Sequence, residues 1–224
     1  MTALDLDAIT LAKGGHDDPA AGLCVMEAVA YFAREPHSDH PECVSPVIGA
    51  FLRRWNDDLD DDTRQMLKPY VLRVVGTNTG RSDDERRAWM VTDWMVRTYL
   101  PAWLDLGGMG DQATAVRSLP ELVSAGSWES AKPVVGEARQ KAAAAWAAAG
   151  AAAWAAAGDA ARAAAGDAAG DAAWAAAGDA AWAAAGAAAG AAAREVLRPT
   201  AEGLQQSALH LLDQLIAVGS EVPA

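Results

Sequence analysis

Near the end of the chain, apolar residues fall at Leu204, Ala208, Leu211, Leu212, Leu215 and Val218, the i, i+4, i+7, i+8, i+11 spacing of one helical face. That spacing predicts a closing amphipathic helix after a Thr200 cap, and a one-sided helix needs a surface to cover. Earlier segments carry denser apolar runs between strong punctuation. Asp18-Pro19 supplies a cap and a first-turn proline for a helix that Glu35-Pro36 would end. Ser45-Pro46 repeats that logic ahead of Val47 to Trp55, and Asp61 or Asp62 opens a third helix toward Val75, with Pro69 as a kink. Gly76 to Gly80 is a turn by composition, and Ser82 to Glu85 has the spacing of a capping box. The helix it would start, reaching Leu100, is apolar around much of its circumference, which predicts a central position. After Gly107 to Gly110 comes a short helix from Asp111 to Ser118. The first thirteen residues show no such pattern and read as a loose lead-in. Nowhere does the chain sustain period-two alternation of β-branched residues. The expected fold is therefore all-α: a compact helical body, a long alanine-rich helical segment and the closing amphipathic helix.

Between Lys141 and Arg194 a different rule holds. Trp, Gly or Arg stands at every fourth position from Trp146 to Arg194, and almost everything between is alanine. Alanine favours the helix and each interior glycine costs about 1 kcal/mol against it, so the tract reads as helical with soft points. One continuous helix of roughly 53 residues would be about 80 Å long. Four residues advance about 400°, so the Trp/Gly row drifts about 40° per repeat and leaves no fixed seam for a left-handed coiled coil. Composition thus suggests three regions: a helical N-terminal domain over 1–130, the alanine-rich tract over 131–194, and the C-terminal helix over 195–224, packing on the body.

The apolar fraction of 52% suffices for a core, although much of it is alanine. A net charge of −12 argues against a basic nucleic-acid-binding surface, and it leaves room for an acidic decoy that occupies a DNA-binding protein. The long uncharged run from Ala142 to Gly158 is alanine, glycine and tryptophan, too weakly apolar to predict a membrane span. Acids stand at Asp5 and Asp7 where a basic leader would be, so a cytoplasmic protein with reduced thiols is expected.

Candidate chemistry concentrates in one place. Both cysteines and three of the four histidines, His16, His37 and His40, lie between positions 16 and 43. Cys24, His37, His40 and Cys43 are a possible ligand set for zinc or iron, with Glu27 as a further ligand or a general base, which would make a metal-dependent enzyme. The spacing matches no established zinc signature. The competing reading makes Cys24, Glu27, Glu35, Ser38, Asp39, His40 and Cys43 a structural cluster with no cofactor, in which Glu27 organises the 35–46 loop and pairs with Arg34, Arg53 or Arg97. Asp93 and Arg97, four residues apart, are expected to form an internal ion pair. On balance the residues favour a binding or scaffolding protein over a catalyst, one that would associate with itself or with another helical protein.

At Cys24-Val-Met-Glu27, Glu35, Ser38-Asp-His-Pro41, Cys43, Pro46 and Asn56-Asp57 the chain resembles a group of actinobacterial and actinophage proteins without an assigned activity. The likeness covers about residues 13–75 and not the alanine tract. It implies a cytoplasmic protein from such a source and carries no mechanism. Those relatives lead one to expect Ala-Gly-Glu where this chain has Ala33-Arg-Glu35.

Overall fold

A computed structural model describes residues 5–6, 8–144 and 195–220. The tract from 145 to 194 lies outside the described residues, and with it the expected rod and its four-residue lattice. The described chain is helical, without a β-strand; Leu11 and Leu23 form an isolated parallel bridge. By compactness it divides into two units, residues 1–92 with 208–224, and residues 93–207.

In the first unit the central element is α1 (Val25–Ala33), whose residues from Val25 to Ala30 are all buried. It packs on α2 (Pro46–Asp58) and on α4 (Tyr70–Arg73). Ile48 and Leu52 of α2, Leu67, Val71 and Val74 complete this core with no exposed surface. Between α2 and α4 the predicted third helix is broken into α3 (Asp61–Arg64), a 3-10 turn (Gln65–Leu67) and α4, because Pro69 has no N–H to continue the ladder. The closing helix (195–217), which starts before Thr200 and so places the expected cap inside it, and Val218 just after it bring Ala208, Leu211, Leu212, Leu215 and Val218 into the same unit, all buried as the spacing predicts. Burial of Leu212 and Leu215 contributes about 1.5–3 kcal/mol each.

Three expectations are corrected here. The lead-in is anchored: Ile9 and Leu11 are buried, and the Gln65 amide exchanges two hydrogen bonds with the Leu11 backbone, at 2.9 and 3.0 Å. No helix starts at Asp18-Pro19. Asp18 caps a turn through Ala20 N–H, and Gly22, at φ 141°, interrupts the chain before Leu23 pairs with Leu11. The helix after the glycine turn, α5 (Arg81–Trp94), is not central either. It begins before Ser82, which therefore lies inside the first turn, and its only fully buried residue is Arg87, since the Trp and Met side chains are half-buried.

The second unit begins where α5 passes into a π-turn (Met95–Tyr99) and α6 (Leu100–Leu106). Pro101 explains the π-turn: it has no N–H and its ring would press on the carbonyl four residues back, so the extra residue of an i to i−5 turn makes room. The Leu100 N–H accordingly bonds Met95 O. Helix α7 (Gly110–Arg117) and the 125–144 helix close a core of Val96, Leu104, Ala113, Val116, Leu122 and Ala138.

Candidate functional site

The clustered residues sit at the two ends of α1. At its start, Cys24 and Glu27 form a capping box: the Glu27 N–H donates to Cys24 Sγ at 3.4 Å, and the Cys24 N–H donates to Glu27 Oε2 at 2.8 Å. Cysteine here does the work usually given to serine. The carboxylate has more to hold. The His16 N–H donates to Oε1 at 2.5 Å and His16 Nδ1–H to Oε2 at 2.9 Å, while His37 Nε2 stands 3.9 Å from Oε1 and donates to the His16 carbonyl. Glu27 is 2% exposed. Burial alone would raise its pKa; the N–H groups of His16 and Cys24 and the His16 ring outweigh it, so the carboxyl is held below its ordinary range.

Glu27 thus clamps the loop before α1, where an organising role for the loop after it was expected, and histidines rather than arginines stand beside it. The far edge of the His16 ring packs on Gly22, where a Cβ would come within 2.8 Å of Nε2. One edge of the ring meets the carboxylate and the other meets backbone.

The 35–46 loop belongs to Glu35, which accepts the N–H groups of Glu42 at 2.6 Å and Cys43 at 2.8 Å. The Cys43 thiol is the first cause of its lowered pKa, followed by these N–H groups against a burial effect of opposite sign. Ser38 Oγ accepts the His40 N–H, and His40 Nδ1 pairs with Asp39 Oδ1, both exposed. Arg53 reaches the Asp39 carbonyl at 2.8 Å. Asn56, fully buried, accepts from the Val25 N–H and donates to the Ala12 carbonyl, and Asp57 accepts from the Gly14 N–H.

The cysteines differ from the expected ligand pair. Both are free; burial pushes the Cys24 thiol up to about 12, and burial with the Glu35 carboxylate pushes Cys43 up to about 11. Neither is a thiolate near neutral pH. Cys24 belongs with His16, Glu27 and His37, whereas Cys43 belongs with Glu35, and His40 with Asp39. Among the described residues no group of three or more His, Cys, Asp or Glu side chains is placed to hold a metal ion.

Elsewhere, Arg97 and Asp93 form a bidentate pair at 2.6 and 2.8 Å, and Asp93 also accepts the Leu122 N–H. Two arginines outside the predicted site, Arg64 and Arg87, are buried. Arg64 donates to the Asn56 and Leu59 carbonyls at the end of α2. Arg87 does the same for Leu215 and Val218 at the end of the closing helix, at 3.0 and 2.6 Å, and is held by Asp84 at 3.1 Å. Each places a guanidinium on the negative end of a helix. The available signal was an arginine three residues after an aspartate, Asp61/Arg64 and Asp84/Arg87.

No family model, curated protein or solved structure matches the chain. Among the described residues no helix is long and apolar enough to cross a membrane.

Proposed function

We propose that the chain is a non-catalytic, cytoplasmic binding or scaffolding protein that associates with itself, or with another helical protein, through its alanine-rich segment. The observation that carries this reading is that the residues best suited to chemistry are consumed inside the fold: both Glu27 oxygens accept hydrogen bonds, and the two thiols are held protonated. The residues behind the actinobacterial and phage resemblance fit the same picture. Cys24, Glu27, Glu35, Asn56 and Asp57 each bind backbone groups, which supports reading that resemblance as one of fold and not of chemistry. The tract adds alanine, glycine and spaced tryptophans, residues that pack without reacting.

Light scattering over a concentration series tests the reading. The intact chain is expected to exceed a monomer, and a chain with a short Gly-Ser linker in place of 145–194 to be monomeric. An intact chain that stays monomeric throughout contradicts self-association.

A further inference from the structure

Beside the loop that Glu35 holds, within the first unit, lies a cleft of about 410 Å³ lined by Arg53, His40, Asn78, Met26, Pro41 and Val44, together with the first turn of α2. We infer that this cleft binds a small phosphate ester, with the oxyanion on Arg53 and the organic group on the apolar wall to which Pro46, Pro41 and Val44 contribute. Independent of self-association through the tract, the site rests on four observations.

The first is the state of Arg53. Arg54, Arg64, Arg73, Arg87, Arg97 and Arg117 each have an aspartate partner. Arg53 is half-buried and, among the described residues, has no carboxylate within ion-pair distance; its one hydrogen bond goes from Nη1 to the Asp39 carbonyl. The other described arginines without an acid, Arg34, Arg81, Arg86 and Arg139, are exposed. In a chain of net charge −12, a partly desolvated guanidinium with spare donors is a place for an anion.

The second is the room beside it. A Cβ on Gly49 would stand 3.2 Å from Arg53 Nη1, so the glycine gives the guanidinium extra room against α2. The third is that α2 is left open at its start. Its N-cap Ser45 makes no side-chain cap bond, because its hydroxyl donates to Asp84 Oδ1, and the first turn carries no acid. The Asp84 carboxylate at this end is paired with Arg87, and the first-turn N–H groups of α2 add their partial positive charge to that of Arg53. The fourth is the lining. Exposed Pro46, with the edges of the more buried Pro41 and Val44, sets apolar surface beside polar groups, a mixture suited to an amphiphilic ligand, and the volume is in the range of small-molecule sites. Glu42 is the acid in the lining; it is exposed, and its backbone is already engaged by Glu35 and Asn78.

An amide NMR titration of the intact chain, with inorganic phosphate and separately with phenyl phosphate, tests the site. Saturable shifts at Val47 and Ile48 are expected with both, at lower concentration for phenyl phosphate. Arg53→Gln should weaken binding roughly tenfold or more, while Arg54→Met, which removes the exposed neighbour, should not. Arg53→Lys keeps the charge and stem, protects the fold, and should still bind several-fold more weakly because the planar fork is gone. Absence of saturable shifts, equal loss in Arg53→Gln and Arg54→Met, wild-type affinity in Arg53→Lys, or equal binding of the two phosphates would each overturn the assignment.

Discussion

At the scale of single residues, Glu27 carries the most consequence. Its two oxygens face three N–H donors, so an amide in its place must turn its own NH2 toward at least one of them. Glu27→Gln is expected to cost about 2–3 kcal/mol, read by denaturant unfolding. The pH dependence follows from the lowered pKa. The Glu27 contribution is complete above the carboxyl's unfolded value and is lost as pH falls through the lower folded one, so the variant should show a flatter acid limb than the wild type. Arg34 offers the opposite sign. It ends α1 in the left-handed region, at φ 61°, the only non-glycine residue with positive φ among those described. The Glu35 N–H bonds Ala30 O across this turn, and the Arg34 side chain is exposed. Replacing it with glycine relieves a conformational cost of about 1–2 kcal/mol, partly offset by the freedom of glycine in the unfolded chain. Arg34→Gly is expected to raise stability by up to about 1 kcal/mol, measured as a shift of the unfolding midpoint. This position stands out in the sequence, since the small residue that the resemblance leads one to expect is missing there. No such signal marks cysteine as the cap of α1, because a thiol is a poor substitute for the usual hydroxyl or carboxylate caps.

At the scale of elements, periodicity and punctuation succeed or fail for identifiable reasons. The closing helix was legible because one face alone is apolar and the burial of Leu204, Ala208, Leu211, Leu212, Leu215 and Val218 repeats that spacing. Periodicity misplaces helix α5 because its tryptophans and its methionine read as core, whereas Trp89, Met90 and Trp94 are only partly buried; what the helix buries fully is a charge. Arg87 compensates its own burial with two helix-end carbonyls, Asp84 and Thr79. Arg87→Ala leaves these carbonyls without a donor and is expected to cost about 3–5 kcal/mol, with earlier amide exchange in the last turn before Gly219. Gly219 belongs to the same joint: at φ 82° a Cβ would meet Asp83 and Thr79 oxygens at 2.6 Å. Local rules put the start of α1 too early, because Asp18-Pro19 has both the cap and the first-turn proline of a helix start. Gly22 and the pairing of Leu11 with Leu23 override it, and a long-range contact of that kind has no local signature.

At the scale of the whole molecule, the all-α class was legible from the absence of alternation and the density of caps. Composition marks the alanine tract sharply, yet the compact units follow packing, with 208–224 joining 1–92. A boundary drawn by residue type has no reason to coincide with one drawn by contact. The candidate site was half legible: the clustering of His, Cys and Glu pointed to the ends of α1, but which histidine meets Glu27 depends on how the chain before the helix returns to it. That pairing anchors the first unit, in which the reactive-looking residues are taken up by hydrogen bonds within the body. Hydrogen exchange at the His16 and Cys24 amides, compared between the wild type and Glu27→Gln, tests it most directly. Strong protection at both amides in the wild type, with a drop at one or both in the variant, is the predicted result. Rapid exchange at both in the wild type, or protection indifferent to the substitution, would contradict the clamp and return Glu27 to the list of residues free for chemistry.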